Sequence, residues 1–429
     1  MRAGTPIVLL LYRVLLHPLV VVGATMIALF HRKVRRTLSG RRDPGQQLAP
    51  APRTAAYRII IHVASVGEFE QARPIIQELH RRLAGLWVGG TFSSISGYDG
   101  CRDAPELNAA GMLPLDTRRR MEDFFDCVRP DLVIVVRYDL WLEMSAQALR
   151  RSIPVTLVCG TMRADSIRFK WPLRTLLGAP YRSLSLATVA TMPDAGALGR
   201  LAPNIDIVVC GDTRYDRVLA RAQEHFVWPI EVPVRDRRVV IIAGSTWPRD
   251  IAILSVLASV GDYRFVIVPH EPTEETILDA ERHFPDAVRL SKCHGVWPDG
   301  TLIIDVSGML SAVYRIGDIA WVGGGFGAGV HSVLEPAAYG IPVFCGPAIS
   351  RSRDATAMHE RGLLIVVRDR ASLQSEISRL AGDPGMRIQR GNQLAEFVRS
   401  GAGATRRTVQ AMTERGLLPS MPDNLEPRT

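Results

Sequence analysis

Residues 318–347 read DIAWVGGGFGAGVHSVLEPAAYGIPVFCGP. The apolar run Ile319 to Val322 predicts a buried strand, and four glycines (Gly323, Gly324, Gly325 and Gly327) fall within the next five positions. Glycine at such a place lets the backbone come close to a ligand. The residues after the loop predict a helix with His331 and Glu335 one turn apart on a single face. The start of that helix offers unpaired N–H groups to an anion, and a carboxylate one turn inside suits a pair of ribose hydroxyls. Strand, glycine turn and helix in this order are the layout of a nucleotide site in an α/β domain.

The same alternation extends on both sides. YRIIIHV (57–63), DLVIVV (131–136), PVTLVC (154–159), LATVAT (186–191) and IDIVVC (205–210) have the apolar, β-branched content of buried strands, and Glu68 to Arg82 has helical periodicity. A crossing segment runs from Asp216 to about Asp236, broken at Pro229 and Pro233. A second series then begins with RVVIIAGS (238–245), RFVIVP (264–269), TLIID (301–305), DIAWVGG (318–324) and IPVFCG (341–346). Two such series predict two doubly wound, Rossmann-like α/β domains facing each other across a cleft, over residues 46–225 and 226–415. Residues 40–56, rich in Pro, Ala and Gly, read as a linker. The polar end, from 416 and above all 420–429, reads as disordered.

The chain has 429 residues, a net charge of +9 and a pI near 9.6, which suits an anionic partner such as a membrane surface, a phosphorylated substrate or nucleic acid. Basic residues are spread without interleaved aromatics, which argues against nucleic acid. The six cysteines form no CxxC or Cys/His cluster, so neither a disulfide framework nor structural zinc is expected, and a reducing compartment is favoured. Residues 1–45 stand apart. Ile7 to Phe30 is 24 mostly apolar residues, interrupted by Arg13, His17 and Pro18 and followed by Arg32, Lys33, Arg35, Arg36, Arg41 and Arg42. The length suffices for a transmembrane span, with the body of the protein on the cytoplasmic side. Arg13 and the His17–Pro18 pair leave an interfacial or re-entrant anchor as the alternative.

Several constellations carry possible chemistry. In HVASVGEFEQARP (62–74) a strand ends in a turn of small residues, including Ser65 and Gly67, and Glu68 opens a helix. The helix dipole alone explains a carboxylate there. The carboxyl end of a first strand is also where open α/β sheets place ligands, so Glu68 is a candidate general base for an acceptor hydroxyl. AGSTWPRD (243–250) repeats the pattern, with Ser245 and Thr246 as a helix cap or a phosphate contact. His270, after a strand, reads as structural or functional. Ser307, with Gly308 beside it, caps a short helix that could face a nucleotide base. Gly323, Gly325 and Ala328 nominally fit a dinucleotide fingerprint, but 341–350 lacks the acidic residue that NAD binding requires. Walker, HExxH and GxSxG motifs are absent.

Taken together, ASVGE (64–68), LPLDT (113–117), DLW (139–141), GDTRYDRV (211–218), AGSTW (243–247), PHE (269–271), VSGML (306–310) and the 322–347 block resemble the 3-deoxy-D-manno-octulosonic acid (Kdo) transferases of lipid A assembly. The resemblance runs from the N-terminal anchor to about residue 400. It implies a two-domain GT-B glycosyltransferase that takes Kdo from CMP-Kdo, without a metal or other cofactor, and adds it to a lipid A precursor. Glu68 would be the general base, with Ser65 and Gly67 on the acceptor side. The donor would meet Ser245, Thr246, His270, Ser307, Gly308, Gly323, Gly324, Gly325, His331, Ser332 and the ribose-binding Glu335. The chain departs from the family where PHEPTEET lacks an arginine after Pro269–His270, where Met309 replaces a glutamate, and where Ser350–Arg351 stands in place of an Asn-Phe pair. Arg351, Arg353 and Lys292 are then the candidate phosphate contacts. The alternatives are another GT-B enzyme using a UDP-sugar and a non-catalytic nucleotide- or lipid-binding relative.

Overall fold

The computed structural model describes residues 5–171, 173–231, 238–258 and 263–419. The break expected at Pro233 and the tail 420–429 lie outside these residues. The chain divides into two compact units, Met1–Arg217 with Ala402–Thr429, and Val218–Gly401.

The first unit is built on β1 (Tyr57–Val63), β2 (Leu86–Phe92), β3 (Ala109–Met112), β4 (Leu132–Val136), β5 (Val155–Gly160), β6 (Leu186–Val189) and β7 (Ile207–Val209). All pair in parallel, in the order β3-β2-β1-β4-β5-β6-β7. Helices cover both faces, so the strands need apolar side chains on both sides rather than alternation. Ile59, Ile61 and Val63 point into one core with Phe69, Ile75 and Leu79, while Ile60 and Val133 enter the opposite one.

The second unit repeats the plan with β8 (Val239–Thr246), β9 (Tyr263–Pro269), β10 (Val288–Arg289), β11 (Leu302–Ile303), β12 (Ile319–Val322), β13 (Val343–Cys345) and β14 (Ile365–Val366). Its parallel order is β10-β11-β9-β8-β12-β13-β14. In each sheet the strand order reverses beside the unit's first strand, between β1 and β4 and between β8 and β12. Open α/β sheets bind ligands at the carboxyl ends of the strands flanking such a reversal. Glu68 follows β1, Asp139 follows β4, Ser245 and Thr246 end β8, and the glycine run follows β12.

Several expectations need correction. The helix after the glycine loop is only Leu334–Ala338, so His331 does not share it with Glu335. Gly324 (φ 88°) and Gly329 (φ 133°) fold the loop back on itself, and the His331 N–H donates to Gly323 O at 3.1 Å. Ser307 caps nothing: the helix Leu310–Val313 starts from Met309, and Gly308 (φ 89°) turns the chain before it. Ser245 and Thr246 belong to β8 rather than to a cap, because the helix Pro248–Leu254 starts at Trp247, whose N–H is held by the Asp250 side chain.

The segment 40–56 is not a free linker. Arg41 is buried, its guanidinium donating to Leu113 O at 3.0 Å and Pro114 O at 3.1 Å. Leu48 is buried against Gly111, where a Cβ would lie 2.2 Å from Leu48 N. The helix Ala404–Glu414, expected with the second domain, returns instead to the first unit. Its Val409 and Met412 share a core with Phe69 and Ile75, Arg407 donates to Cys210 O at 2.8 Å, and Tyr57 donates to Leu417 O at 2.7 Å. Its apolar stripe covers an open face of the helix Val66–Arg82 (the helix that carries Glu68).

Candidate functional site

In the first unit the helix Val66–Arg82 leaves β1 through Ala64 and Ser65. Ser65 Oγ accepts from the Glu68 N–H at 3.3 Å, and Glu68 Oε2 accepts from the Ala64 N–H at 2.6 Å. This reciprocal cap pins the Glu68 carboxylate over the strand end at 3 % exposure. Burial pushes its pKa above the usual carboxylate value, against the Ala64 hydrogen bond that lowers it, and the nearby charge of Asp139 pushes the same way as burial. Oε1 has no hydrogen-bond partner among the described residues. Gly67 lies in the first turn, where a Cβ would meet nothing closer than Ser65 Oγ at 3.9 Å.

A second polar group, absent from the sequence reading, lies beside it. His62 on β1 is fully buried, with Nδ1 3.0 Å from Thr91 Oγ1 and Nε2 3.0 Å from Asp139 Oδ2. Ser93 donates to the same Asp139 oxygen at 2.5 Å. Burial would raise the Asp139 pKa, but hydrogen bonding and charge from His62, with the Ser93 hydroxyl, outweigh it and bring it down to about 2. Arg137, at the end of β4, has φ 65°, and its buried Nε has no partner among the described residues. A non-glycine residue in the left-handed region is strained, and such strain gathers at functional sites. The DLW signal was in the sequence, but the His62 partner on the neighbouring strand was not.

In the second unit Ser245 repeats that strain, with φ 52° at a register shift between Gly244 and Thr246. It is forced by close packing, since a Cβ on Gly323 would lie 2.2 Å from Ser245 O. Gly325 is equally tight, with a Cβ 2.5 Å from Gly346 N. Asp250, which sequence reasoning missed, organises the loop. Its buried carboxylate accepts from the N–H groups of Gly324 and Trp247, both at 2.9 Å, and from Trp321 Nε1 at 3.2 Å. Its only signal was an acidic residue at the third helical position after Trp247.

His331 lies against the loop. Its Nε2 accepts from Trp247 Nε1 at 2.9 Å, and its ring stacks on His270 at 4.2 Å. Burial, followed by the neighbouring His270, lowers the His331 pKa to about 4, so the ring is neutral near pH 7 with its proton on Nδ1. Thr246, His270 and His331 therefore converge: the His270 N–H donates to Thr246 O at 3.0 Å. A cavity of about 420 Å³ opens here between Trp247, Arg249, Asp250, Phe326 and His331.

Glu335 lies one turn beyond the loop, near the buried Tyr314, whose hydroxyl pKa is raised by burial and then by the charge of Glu335. Ser307, Gly308 and Ser332 are exposed loop positions. Arg351 donates to Ala328 O at 2.9 Å and Arg249 to Phe326 O at 3.0 Å, so two guanidinium groups bracket the glycine loop. Arg353 opens the following helix. Lys292 lies elsewhere, beyond β10, where its charge acts on Glu274 and Glu281. No group of three His, Cys, Asp or Glu side chains placed to hold a metal ion occurs among the described residues.

Two parallel seven-stranded units, with a glycine loop at the reversal point of the second, give the protein a GT-B-type fold, and its likeness to curated transferases over most of its length makes it a glycosyltransferase. Residues 33–217 match the pattern of the 3-deoxy-D-manno-octulosonic-acid transferase (kdotransferase) family. It is 24% identical over 391 residues to the 3-deoxy-D-manno-octulosonic acid transferase of Bordetella pertussis, covering 86% of this chain and 90% of that one. Among solved structures, the UDP-GlcNAc 2-epimerase of Neisseria meningitidis shares the fold at a TM-score of 0.57 and 16% identity, over 83% of this chain and all of that one (100%). The calicheamicin glycosyltransferase CalG4 shares it at 0.54 and 16%, over 86% of this chain and 100% of its own.

Proposed function

We propose that the protein transfers Kdo from CMP-Kdo to a hydroxyl of a lipid A precursor, with inversion and with Glu68 as general base. Glu68 takes the proton of the acceptor hydroxyl, whose oxygen then bonds to the anomeric carbon of Kdo while the bond from that carbon to the CMP phosphate oxygen breaks. CMP leaves with the electron pair. The first unit receives the acceptor through Ser65 and Gly67. The second holds the donor through the glycine loop, Ser245, Thr246, His270 and His331, with Ser307, Gly308 and Ser332 nearby and Glu335 on the ribose. Arg249 and Arg351 replace the missing family arginine and, with loop N–H groups, stabilise the leaving phosphate. The reading calls for no metal. It places the enzyme on the inner membrane with both units in the cytoplasm.

The observation that carries it is the Glu68 carboxylate, buried with a raised pKa and with one oxygen open to a substrate proton. A base of this kind contributes about 10²–10⁴-fold to rate. The test is transfer from CMP-Kdo to a lipid A precursor by the purified protein, followed by mass spectrometry, with Glu68→Gln as control. Loss of transfer with CMP binding retained supports the assignment; a fully active Glu68→Gln overturns it. The fold is shared with UDP-sugar enzymes, so thermal shift with CMP against UDP separates the donor classes. Stabilisation by UDP alone would favour a UDP-sugar donor.

A further inference from the structure

We propose that the apolar segment Ile7–Phe30 does not cross the bilayer but lies in the plane of one leaflet, held by the first unit at both of its ends. The segment forms the helix Thr5–Leu11, a π-helical turn at Tyr12–Leu16 and the helix His17–Phe30. By length and composition it passes as a span.

Its first half, however, is part of the first unit. Tyr12 is buried and donates to Asp116 at 2.7 Å. Arg13 makes a two-pronged pair with Glu143, at 2.5 and 3.1 Å, and the Glu143 side chain has no exposure. Val8 and Tyr12 pack with Leu142 in a small apolar cluster. Asp116 also accepts from the N–H groups of Glu143 and Met144, at 3.0 and 2.9 Å, so the latch is tied to the start of the helix that follows Asp139-Leu140-Trp141.

The far end is tied to the same unit. After Phe30 the chain turns at His31 into the helix Arg32–Gly40, and Arg35 donates back to Ala28 O at 2.9 Å and Leu29 O at 2.8 Å. That helix docks through Arg36 on Asp99 at 2.9 Å and through Thr37, which accepts from the Ile95 N–H at 3.2 Å. Only the 14 residues His17–Phe30 lie between the two attachments. At about 1.5 Å per residue they reach about 21 Å, short of the roughly 30 Å hydrocarbon core, and both ends stay on one side.

The two halves of the segment differ in burial. Val8 and Tyr12 are buried and Leu16 half-buried against Leu142, whereas in His17–Phe30 only Ala28 is buried and His17, Val21 and Ala24 are half-buried. The exposed side chains, among them the apolar Leu10, Val14, Leu19, Val22, Met26 and Phe30 (84 % exposed), carry no charge. The occupant that fits them is a bilayer leaflet with anionic headgroups, because Arg32, Lys33, Arg35 and Arg36 follow directly. Arg13 then needs no place in hydrocarbon, which removes the cost that made it anomalous in a span.

The test uses the full chain with a single-cysteine tag ahead of Met1 and a membrane-impermeant maleimide. In intact cells of a Gram-negative host the tag stays unlabelled and reacts only after lysis, as the exposed Cys127 does. Labelling of the tag from outside the inner membrane, with Cys127 still protected, establishes a span and overturns the proposal. Purified protein is also expected to float with phosphatidylglycerol-containing vesicles and to lose this binding in Leu19→Asp/Val22→Asp; failure to float overturns the leaflet assignment. Arg13→Leu lowers Tm in detergent and Glu143→Leu added to it restores Tm, whereas an unlatched helix would leave Tm unmoved by Arg13→Leu. None of these readouts depends on the donor sugar, so they stand or fall separately from sugar transfer.

Discussion

Two carboxylates at neighbouring strand ends of the first unit are driven in opposite directions by their surroundings. Among the described residues Glu68 accepts from a single donor, the Ala64 backbone N–H, so burial dominates and its pKa rises. Asp139 has His62 and Ser93 bonded to it, and these overcome burial and bring it down to about 2. A general base must be ionised, so the acidic limb of the kcat/KM profile is expected above the usual carboxylate pKa of about 4.3. A profile flat through that region would remove Glu68 from the base role. The linkage for Asp139 has the opposite sense. A depressed pKa contributes stability that is fully present above the unfolded value near 4 and is lost as pH falls towards 2. The drop from 3.8 to about 2 corresponds to about 2 kcal/mol at neutral pH. Asp139→Asn should therefore be less stable by about that amount at pH 7 in denaturant titration, and the difference should shrink between pH 4 and 2.

At the scale of elements, the glycine loop shows what sequence patterns reveal and what they leave out. The run 323–327 marked a close backbone approach to a ligand; the approach seen is to the chain's own backbone, Gly323 to Ser245 O and Gly325 to Gly346. The helix expected to carry both His331 and Glu335 was misjudged, because residues in left-handed turns at Gly324 and Gly329 use up the positions a longer helix needed. The long apolar strands were legible as unbroken β-branched runs. β2 was not, since Gly89 and Gly90 interrupt its pattern; Gly89 is needed because a Cβ there would strike Trp87 and Leu48. β10 and β14, two residues each, are too short for any periodicity to register. Asp250 and His62 were hidden for another reason: each acts on a neighbouring strand or loop through contacts that spacing along the chain does not encode. Gly324→Ala tests the loop directly. It would place a Cβ 2.4 Å from Gly329 O at a φ of 88°, so CMP binding should weaken sharply by calorimetry. The accompanying stability loss should stay within about 1–3 kcal/mol, because the clash is confined to one turn. Unaltered CMP affinity would separate the loop from the donor.

The whole molecule is stitched in a way that chain order conceals. Residues 218–401 form the second unit, but the chain then leaves it to complete the first. The helix Ala404–Glu414 begins at Gly403, whose N–H donates to Asp216 at 2.5 Å, and Thr405 donates to the same carboxylate from its N–H and hydroxyl, both at 2.7 Å. One carboxylate thus fastens the returning strand of chain beside the point where the chain first left the unit. Val409, Ala411 and Met412 then close the core around Phe69, Ile75 and Leu79, on the helix that positions Glu68. Burial of Val409 and Met412 is worth about 1.5–3 kcal/mol each, so their joint removal takes a large share of the roughly 5–15 kcal/mol that stabilises an ordinary domain. Ending the chain after Gly401 should unfold or loosen the first unit while leaving the second intact. Hydrogen exchange would then show lost protection across β1 and Val66–Arg82 with β8 and β12 still protected, and CMP binding would persist in a protein without transferase activity. Asp216→Asn should move the first unit's transition in the same direction but by less, since it loosens the fastening and keeps the apolar cover. Uniform loss of protection in both units would mean that they fold as one cooperative block, and the returning helix would then have no separate role.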